Sequence, residues 1–375
     1  MVMEAIMSDL NFKDFLTSGC FLQVSPNLFK LMWGPFVKSS IRSTDDLGSN
    51  TFLFRPKFWD FLRQDQETHA VSVYLPNKSL TLNREEFIGF LSRQNPQPSA
   101  VKWGDIETEA FTRQYGWGQE KIASEEIKKI VPIIRQTGQG CYGIENRAFS
   151  LLNLLQSEGF GWSYGHFDQD EALIGKTPES LVVFNRSAEG FNSEAGSMAL
   201  AGTFPNDEVG LQRINEDLKT RQEHDWVIAD IKEKTLNYDT SVLPTEVLKL
   251  KHLLHLKTDF KFKVEDEFQV IDLANRLHPT AAMGTYPTNL KILKEFSKFE
   301  LQSDREHFAS PLGIVEKGLV HIVVAIRCLR VSRQQFIIDS GCGITAQSHF
   351  EDELKELENK RNSVKKMLGV FDDQF

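Results

Sequence analysis

Glu353 and Glu356 lie three residues apart and Lys360 follows one turn later, so in a helix all three share one face. Two readings are open. One is a solvated face closed by a Glu356–Lys360 pair. The other is a carboxylate pair for a hard cation such as Mg²⁺, which takes one or two carboxylates plus oxygens of its substrate. The segment before them is Phe336-Ile-Ile, an apolar run of strand type, followed by Gly341-Cys-Gly343. Those glycines permit a tight turn and close approach of backbone to a ligand. Ser348 and Glu351 form a Ser-x-x-Glu capping box that predicts the helix start. Local structure thus explains Glu351 but not Glu353 or Glu356.

Other residues pose the same kind of question. Arg327 stands in His321-Ile-Val-Val-Ala-Ile-Arg-Cys-Leu, an otherwise apolar strand of the type buried on both faces. A buried guanidinium needs an anion. That anion is either an internal carboxylate or a substrate carboxylate gripped bidentately. Glu179 stands between Pro178 and the apolar stretch 181–184. It is either a surface residue at a strand start or a buried acid that keeps its proton at neutral pH. Lys129 lies in the apolar run 127–134 and is either an exposed lysine or a buried amine able to act as a general base. Glu223 alone reads as a solvated helix residue. His252 and His255 form one close histidine pair, which without further ligands reads as structural rather than zinc-binding.

The elements that must position these groups come next. The chain has 375 residues, a formal net charge of -9 and a pI near 5.6. No basic stripe stands out, which argues against a nucleic-acid partner. No apolar run is long enough to cross a membrane. Residues 1–9 lack the basic start and long apolar core of a signal peptide. Cys20, Cys141, Cys328 and Cys342 are scattered without a Cys-x-x-Cys pair, which predicts free thiols in a cytoplasmic protein. Residues 1–118 read as strands and loops with little chemical signal, and 116–122 as a link to a catalytic region, 119–375. The pattern predicts a helix over 147–157, strands over 160–185 around an acidic turn, and a small-residue turn at 199–203. A long helix over 211–236, a loop at 278–287 and a helix from about 289 follow. Strands are expected at 312–315 and 319–331. Strands and helices interleave without a regular βαβ rhythm, so the expected class is α+β with mainly antiparallel sheet.

Taken in order, Lys129-Ile-Val, Gly175-Lys-Thr-Pro-Glu179, Leu200-Ala-Gly-Thr203, Glu223-His224, His255-Leu-Lys-Thr258 and His278-Pro-Thr form an ordered set. It continues with Gly284 and Pro287, Ala325-Ile-Arg327, Gly341-Cys-Gly-Ile344 and Glu353-x-x-Glu356-x-x-x-Lys360. The set resembles the chorismate-utilising enzymes: isochorismate synthase, salicylate synthase, and the large subunits of anthranilate and aminodeoxychorismate synthases. The resemblance covers about residues 121–368. It implies two antiparallel sheets packed as a sandwich with helices outside and the site between them.

It also implies that Glu223, Glu353 and Glu356 hold Mg²⁺ against the ring carboxylate of chorismate. Arg327 would grip the pyruvyl carboxylate. Gly202 and Thr203, with Gly341 and Gly343, would offer backbone contacts, and His278 and Lys360 would complete the site. Lys129 would deprotonate a water that attacks C2, and Glu179 would protonate the leaving C4 hydroxyl. In this family the amine-forming members typically carry Gln where Lys129 stands, and many aminodeoxychorismate synthases carry a nucleophilic Lys at the place of Ala201. The stretch from Ala199 to Thr203 looks most like isochorismate synthase. The implied protein is a cytoplasmic monomer or homodimer without a glutamine amidotransferase domain or subunit. Rival expectations are a salicylate synthase, which adds pyruvate elimination, and a chorismate-binding protein without catalysis. Departures from the family pattern are Ser180, Ala281, Phe308 and Ser310.

Overall fold

Short runs rich in Val, Ile, Leu and Phe make this chain chiefly a strand former, and its strands pair antiparallel throughout the described residues. The computed structural model describes residues 12–63, 70–106, 108–186, 193–214, 216–249 and 253–371. Among them, nine strands form one sheet in the order Lys78–Asn83, Leu28–Trp33, Gly19–Ser25, Trp162–Phe167, Glu171–Thr177, Cys328–Ser332, Gln335–Gly341, Ile133–Gly140 and Val101–Ile106. The second sheet runs Thr240–Val242, Leu253–Lys263, Glu194–Pro205, Ser180–Asn185, Leu319–Val324, Pro311–Glu316, Phe52–Phe54, Val71–Leu75 and Val37–Ile41, with Glu246–Lys249 added beside Leu253–Lys263. Lys129–Ile130 pairs separately with Thr285–Tyr286.

Alternation along the strands builds two cores from one sheet. Successive side chains point to opposite faces. In Glu171–Thr177, Leu173 packs in the core shared with the second sheet, beside Val182, Ile314 and Ile322. Its neighbours Ala172 and Ile174 pack on the outer face, beneath Leu151 and Leu154 of helix Ile144–Gln156 and Val364 and Leu368 of helix Phe350–Leu368. Each large apolar side chain so buried contributes about 1.5–3 kcal/mol. Helices Leu218–Lys234 and Glu267–Leu277 pack against the second sheet. No described helix is long and apolar enough to cross a membrane.

Several local expectations change. The apolar stretch 319–331 is two strands, Leu319–Val324 in the second sheet and Cys328–Ser332 in the first. The chain crosses between sheets at 325–327, where Arg327 adopts a left-handed φ of 56°. The stretch 199–203 is not a turn: strand Glu194–Pro205 runs through it with a bulge at Gly202, whose φ is 76°. The helix expected over 211–236 is broken before Leu218, because Asp217 caps a new helix by accepting from the Thr220 N–H at 2.8 Å. Ser348 forms no capping box. Its hydroxyl accepts from the Thr345 N–H at 3.0 Å, and the helix begins at Phe350. Residues 116–122 are no link but part of helix Thr108–Ala123. Residues 1–9 and His252 lie outside the described residues.

Candidate active site

Two of the places where the chain leaves one sheet for the other meet at one cavity. Glu171–Thr177 belongs to the first sheet and Ser180–Asn185 to the second, so Pro178 and Glu179 form a crossover like that at 325–327. The two crossovers are tied together: the Val324 N–H donates to the Glu179 carbonyl at 3.1 Å, and the Lys176 N–H to the Arg327 carbonyl at 3.3 Å. The Tyr164 hydroxyl donates to the Ile326 carbonyl at 2.9 Å. Crossover residues are released from the strand ladder, so Glu179 and Arg327 can face the space between the sheets. The cavity there holds about 100 Å³ of space open to the centre of a water molecule.

Ten of the twelve side chains or glycines expected at the site line this cavity: Lys129, Glu179, Gly202, Glu223, Arg327, Gly341, Gly343, Glu353, Glu356 and Lys360. His278 does not. Its Nε2 sits 2.9 Å from the Phe58 carbonyl, and its ring stands edge-on to Phe58 and Phe61. Burial lowers the imidazole to about 3, so it is a neutral packing residue. This corrects the substrate-binding role expected for it. Thr203 pairs through its backbone with His255 on the neighbouring strand.

The carboxylates share the cavity but do not converge on one another. Each turns to a lysine. Glu223 Oε1 accepts from Lys129 Nζ at 2.8 Å, Glu353 Oε1 from Lys219 Nζ at 2.9 Å, and Glu356 Oε1 from Lys360 Nζ at 2.5 Å. Lys360 also donates to the Gly341 carbonyl at 2.7 Å, which joins the glycine turn to the helix. Among the described residues no three acidic, histidine or cysteine side chains stand close enough to hold a metal ion between them. The donor chemistry nevertheless fits a hard cation, for every candidate ligand is a carboxylate oxygen. The field fits too. Burial would lower the Lys219 amine, but Glu353, Glu223 and Glu356 together hold it above the ordinary lysine value.

Burial decides the remaining charges. Glu179 is 2% exposed, and desolvation raises its carboxyl to about 8 against a smaller opposing pull from Lys129. It therefore carries a proton at neutral pH. Lys129 is 1% exposed, whereas Lys128, just before strand Lys129–Ile130, is exposed. About a third of the Glu356 side chain (36%) stays open, toward the cavity it lines. Desolvation would raise its carboxyl, but Lys360, Lys219 and Arg327 hold it below the usual range. Burial lowers the Arg327 guanidinium, opposed by Glu356. No described carboxylate lies in ion-pair contact with Arg327, so the internal-partner reading of that residue lacks a partner.

The close fit also explains Gly343. A Cβ there would lie 2.3 Å from Glu223 Oε1 and 2.5 Å from Lys129 Cε, so only glycine admits the Lys129–Glu223 pair. Sequence reasoning missed Lys219 as a site residue, whereas His255, part of the ordered set, and Phe308, named as a departure, both line the cavity. Lys219 and Glu223 are four apart on one helix, a spacing that signals a shared face. His255 is held by its Nδ1 contact with the Gly202 carbonyl at 3.1 Å, and burial lowers it to about 3.

Comparison with known proteins agrees with this geometry. The family model for the chorismate binding enzymes matches residues 64–369. Isochorismate synthase MenF of Escherichia coli (strain K12) is 30% identical over 306 residues, which cover 77% of this chain and 68% of that protein. A Mycobacterium tuberculosis (strain H37Rv) protein whose name contains the words isochorismate synthase MenF is 31% identical over 215 residues, or 56% of this chain. The match spans 57% of that relative's length. The solved structure of the menaquinone-specific isochorismate synthase MenF from Escherichia coli superposes with a TM-score of 0.74 at 19% identity, covering 96% of this chain and 92% of that one. That likeness bears on fold. With a matching family model over most of its length and the expected site residues gathered at one cavity, the chain belongs to the chorismate-binding enzyme family.

Proposed function

We propose that this chain is an isochorismate synthase, which adds water at C2 of chorismate with loss of the C4 hydroxyl. The observation that carries the reading is a buried lysine, Lys129, and a buried protonated carboxyl, Glu179, on one cavity. The isochorismate synthase names of the relatives support it, as do Lys129 in place of Gln and Ala201 in place of a nucleophilic Lys.

In this reading Arg327 grips the pyruvyl carboxylate bidentately. The backbone at Gly202, Gly341 and Gly343 faces the ring, and Thr203 follows Gly202 along the same strand. Lys129 in its neutral form takes a proton from the attacking water, Glu223 orienting its amine. As the new C2–O bond forms, the two ring double bonds shift and the C4–O bond breaks. Glu179 gives its proton to the departing hydroxyl, and transfer of the Lys129 proton back to Glu179 closes the cycle. Glu223, Glu353 and Glu356 would hold Mg²⁺, which would supply positive charge against the ring carboxylate. The reading includes a cytoplasmic monomer or homodimer without an amidotransferase subunit.

The direct test is to incubate pure protein with chorismate and Mg²⁺ and to identify the products by chromatography. Isochorismate is expected. Salicylate with pyruvate would replace the reading with the eliminating enzyme, and untouched chorismate with measurable binding would leave a binding protein. Thorough chelation should abolish turnover and added Mg²⁺ should restore it; full activity in chelator would remove the cation from the mechanism. Gly343→Ala should keep the fold yet cut kcat about 10²-fold, the scale of loss for a catalytic group misplaced by about 1 Å. A thermal melt beside the rate measurement separates the two effects.

A further inference from the structure

Lys219 stands apart from the other lysines of the cavity. It lies on the first turn of helix Leu218–Lys234, one turn before Glu223 on the same face. Its Nζ is 2.9 Å from Glu353 Oε1, and the Glu353 side chain is 3% exposed. So deeply buried a carboxylate is costly without a cation, and Lys219 supplies one. Lys129 is enclosed at 1% exposure, and Lys360 is fastened by the Gly341 carbonyl as well as by Glu356. The Lys219 side chain, by contrast, keeps 31% of its surface open and reaches the cavity from a helix start along a flexible stem.

We propose that Lys219 is an internal counter-cation: its ammonium takes the place beside Glu353 that a divalent cation needs, and it yields that place when the cation binds. This rests on the reading of Glu223, Glu353 and Glu356 as cation ligands. It gives Lys219 a positioning role. Without metal, Lys219 neutralises Glu353 and keeps the acidic face folded. With metal, one ammonium must move out, so the protein binds the cation less tightly than its three carboxylates alone would.

The test measures Mg²⁺ binding by isothermal titration calorimetry, and Tm with and without Mg²⁺, for wild type, Lys219→Met and Lys219→Arg. Lys219→Met should bind Mg²⁺ at least about tenfold more tightly, and its metal-free Tm should fall below that of wild type. Mg²⁺ should close that gap. Lys219→Arg, which keeps the charge, should retain the weaker affinity. If Lys219→Met does not fold without metal, Lys219→Gln is read in the same way, because it retains a hydrogen-bond donor for Glu353. Equal or weaker Mg²⁺ binding in the neutral variants, with wild type binding normally, overturns the role of Lys219 alone. Absence of Mg²⁺ binding in every variant overturns the cation reading and this inference together.

Discussion

Glu179→Gln is expected to lower kcat about 10²–10⁴-fold, the range for loss of a general acid, while chorismate still binds. The amide keeps the shape of the side chain but has no acidic proton to give to the C4 hydroxyl. Glu179 holds that proton in the wild type because desolvation raises its carboxyl to about 8. The sign of the pH dependence follows. An acid works in its protonated form, so wild-type kcat should be lost as pH rises through about 8. Glu179→Gln should lack that alkaline limb. Rate profiles between neutral and alkaline pH for both proteins provide the check. Near-normal turnover in the variant, or an unchanged alkaline limb, would return Glu179 to a purely structural role at its crossover.

Lys129→Ala should abolish hydration to a comparable degree, since no other described amine on the cavity is as deeply buried. The substitution also removes the partner of Glu223, which Lys129 holds at 2.8 Å. A melt and a chorismate-binding measurement must therefore accompany the rate. Binding should persist, because Arg327 and the glycine turns are untouched. The identity of the nucleophile is open to the same protein. With ammonium salts in excess, wild type should still form the hydroxylated product and make little anthranilate. Anthranilate formed from ammonia at a rate rivalling hydration would overturn the assignment of Lys129 and install an amine-forming reaction.

Much of this molecule could be read from local pattern. The apolar runs at 336–338 and 181–184 are strands because short continuous apolar runs with β-branched residues suit a strand buried on both faces. The three-residue spacing of Glu353 and Glu356 places both on one face of helix Phe350–Leu368, whatever the remainder of the fold does. Gly341 and Gly343 predict a tight turn near a ligand, and at Gly343 the space a Cβ would fill is taken by the Glu223–Lys129 pair.

Ser348 matched a capping box, but the local turn at Thr345 took its hydroxyl. The other errors arose where distant segments decide. His278 matched a site motif, but Phe58, 220 positions away, accepts its hydrogen bond. The spacing of Lys219 and Glu223 signalled only a shared face, and the partner of Lys219, Glu353, lies 134 positions along the chain. The apolar stretch around Arg327 read as one strand, because hydropathy does not mark the point at which a chain changes sheets. The sequence by itself determined the antiparallel α+β class, the family, and ten of the residues that line the cavity, since those depend on residue type and near spacing. Only the tertiary structure decided that Glu179 and Arg327 sit on paired crossovers, that burial leaves Glu179 protonated, that Arg327 has no carboxylate in ion-pair contact, and that a lysine neutralises each candidate ligand. Those outcomes depend on desolvation and on contacts between segments far apart in the chain, and local sequence encodes neither.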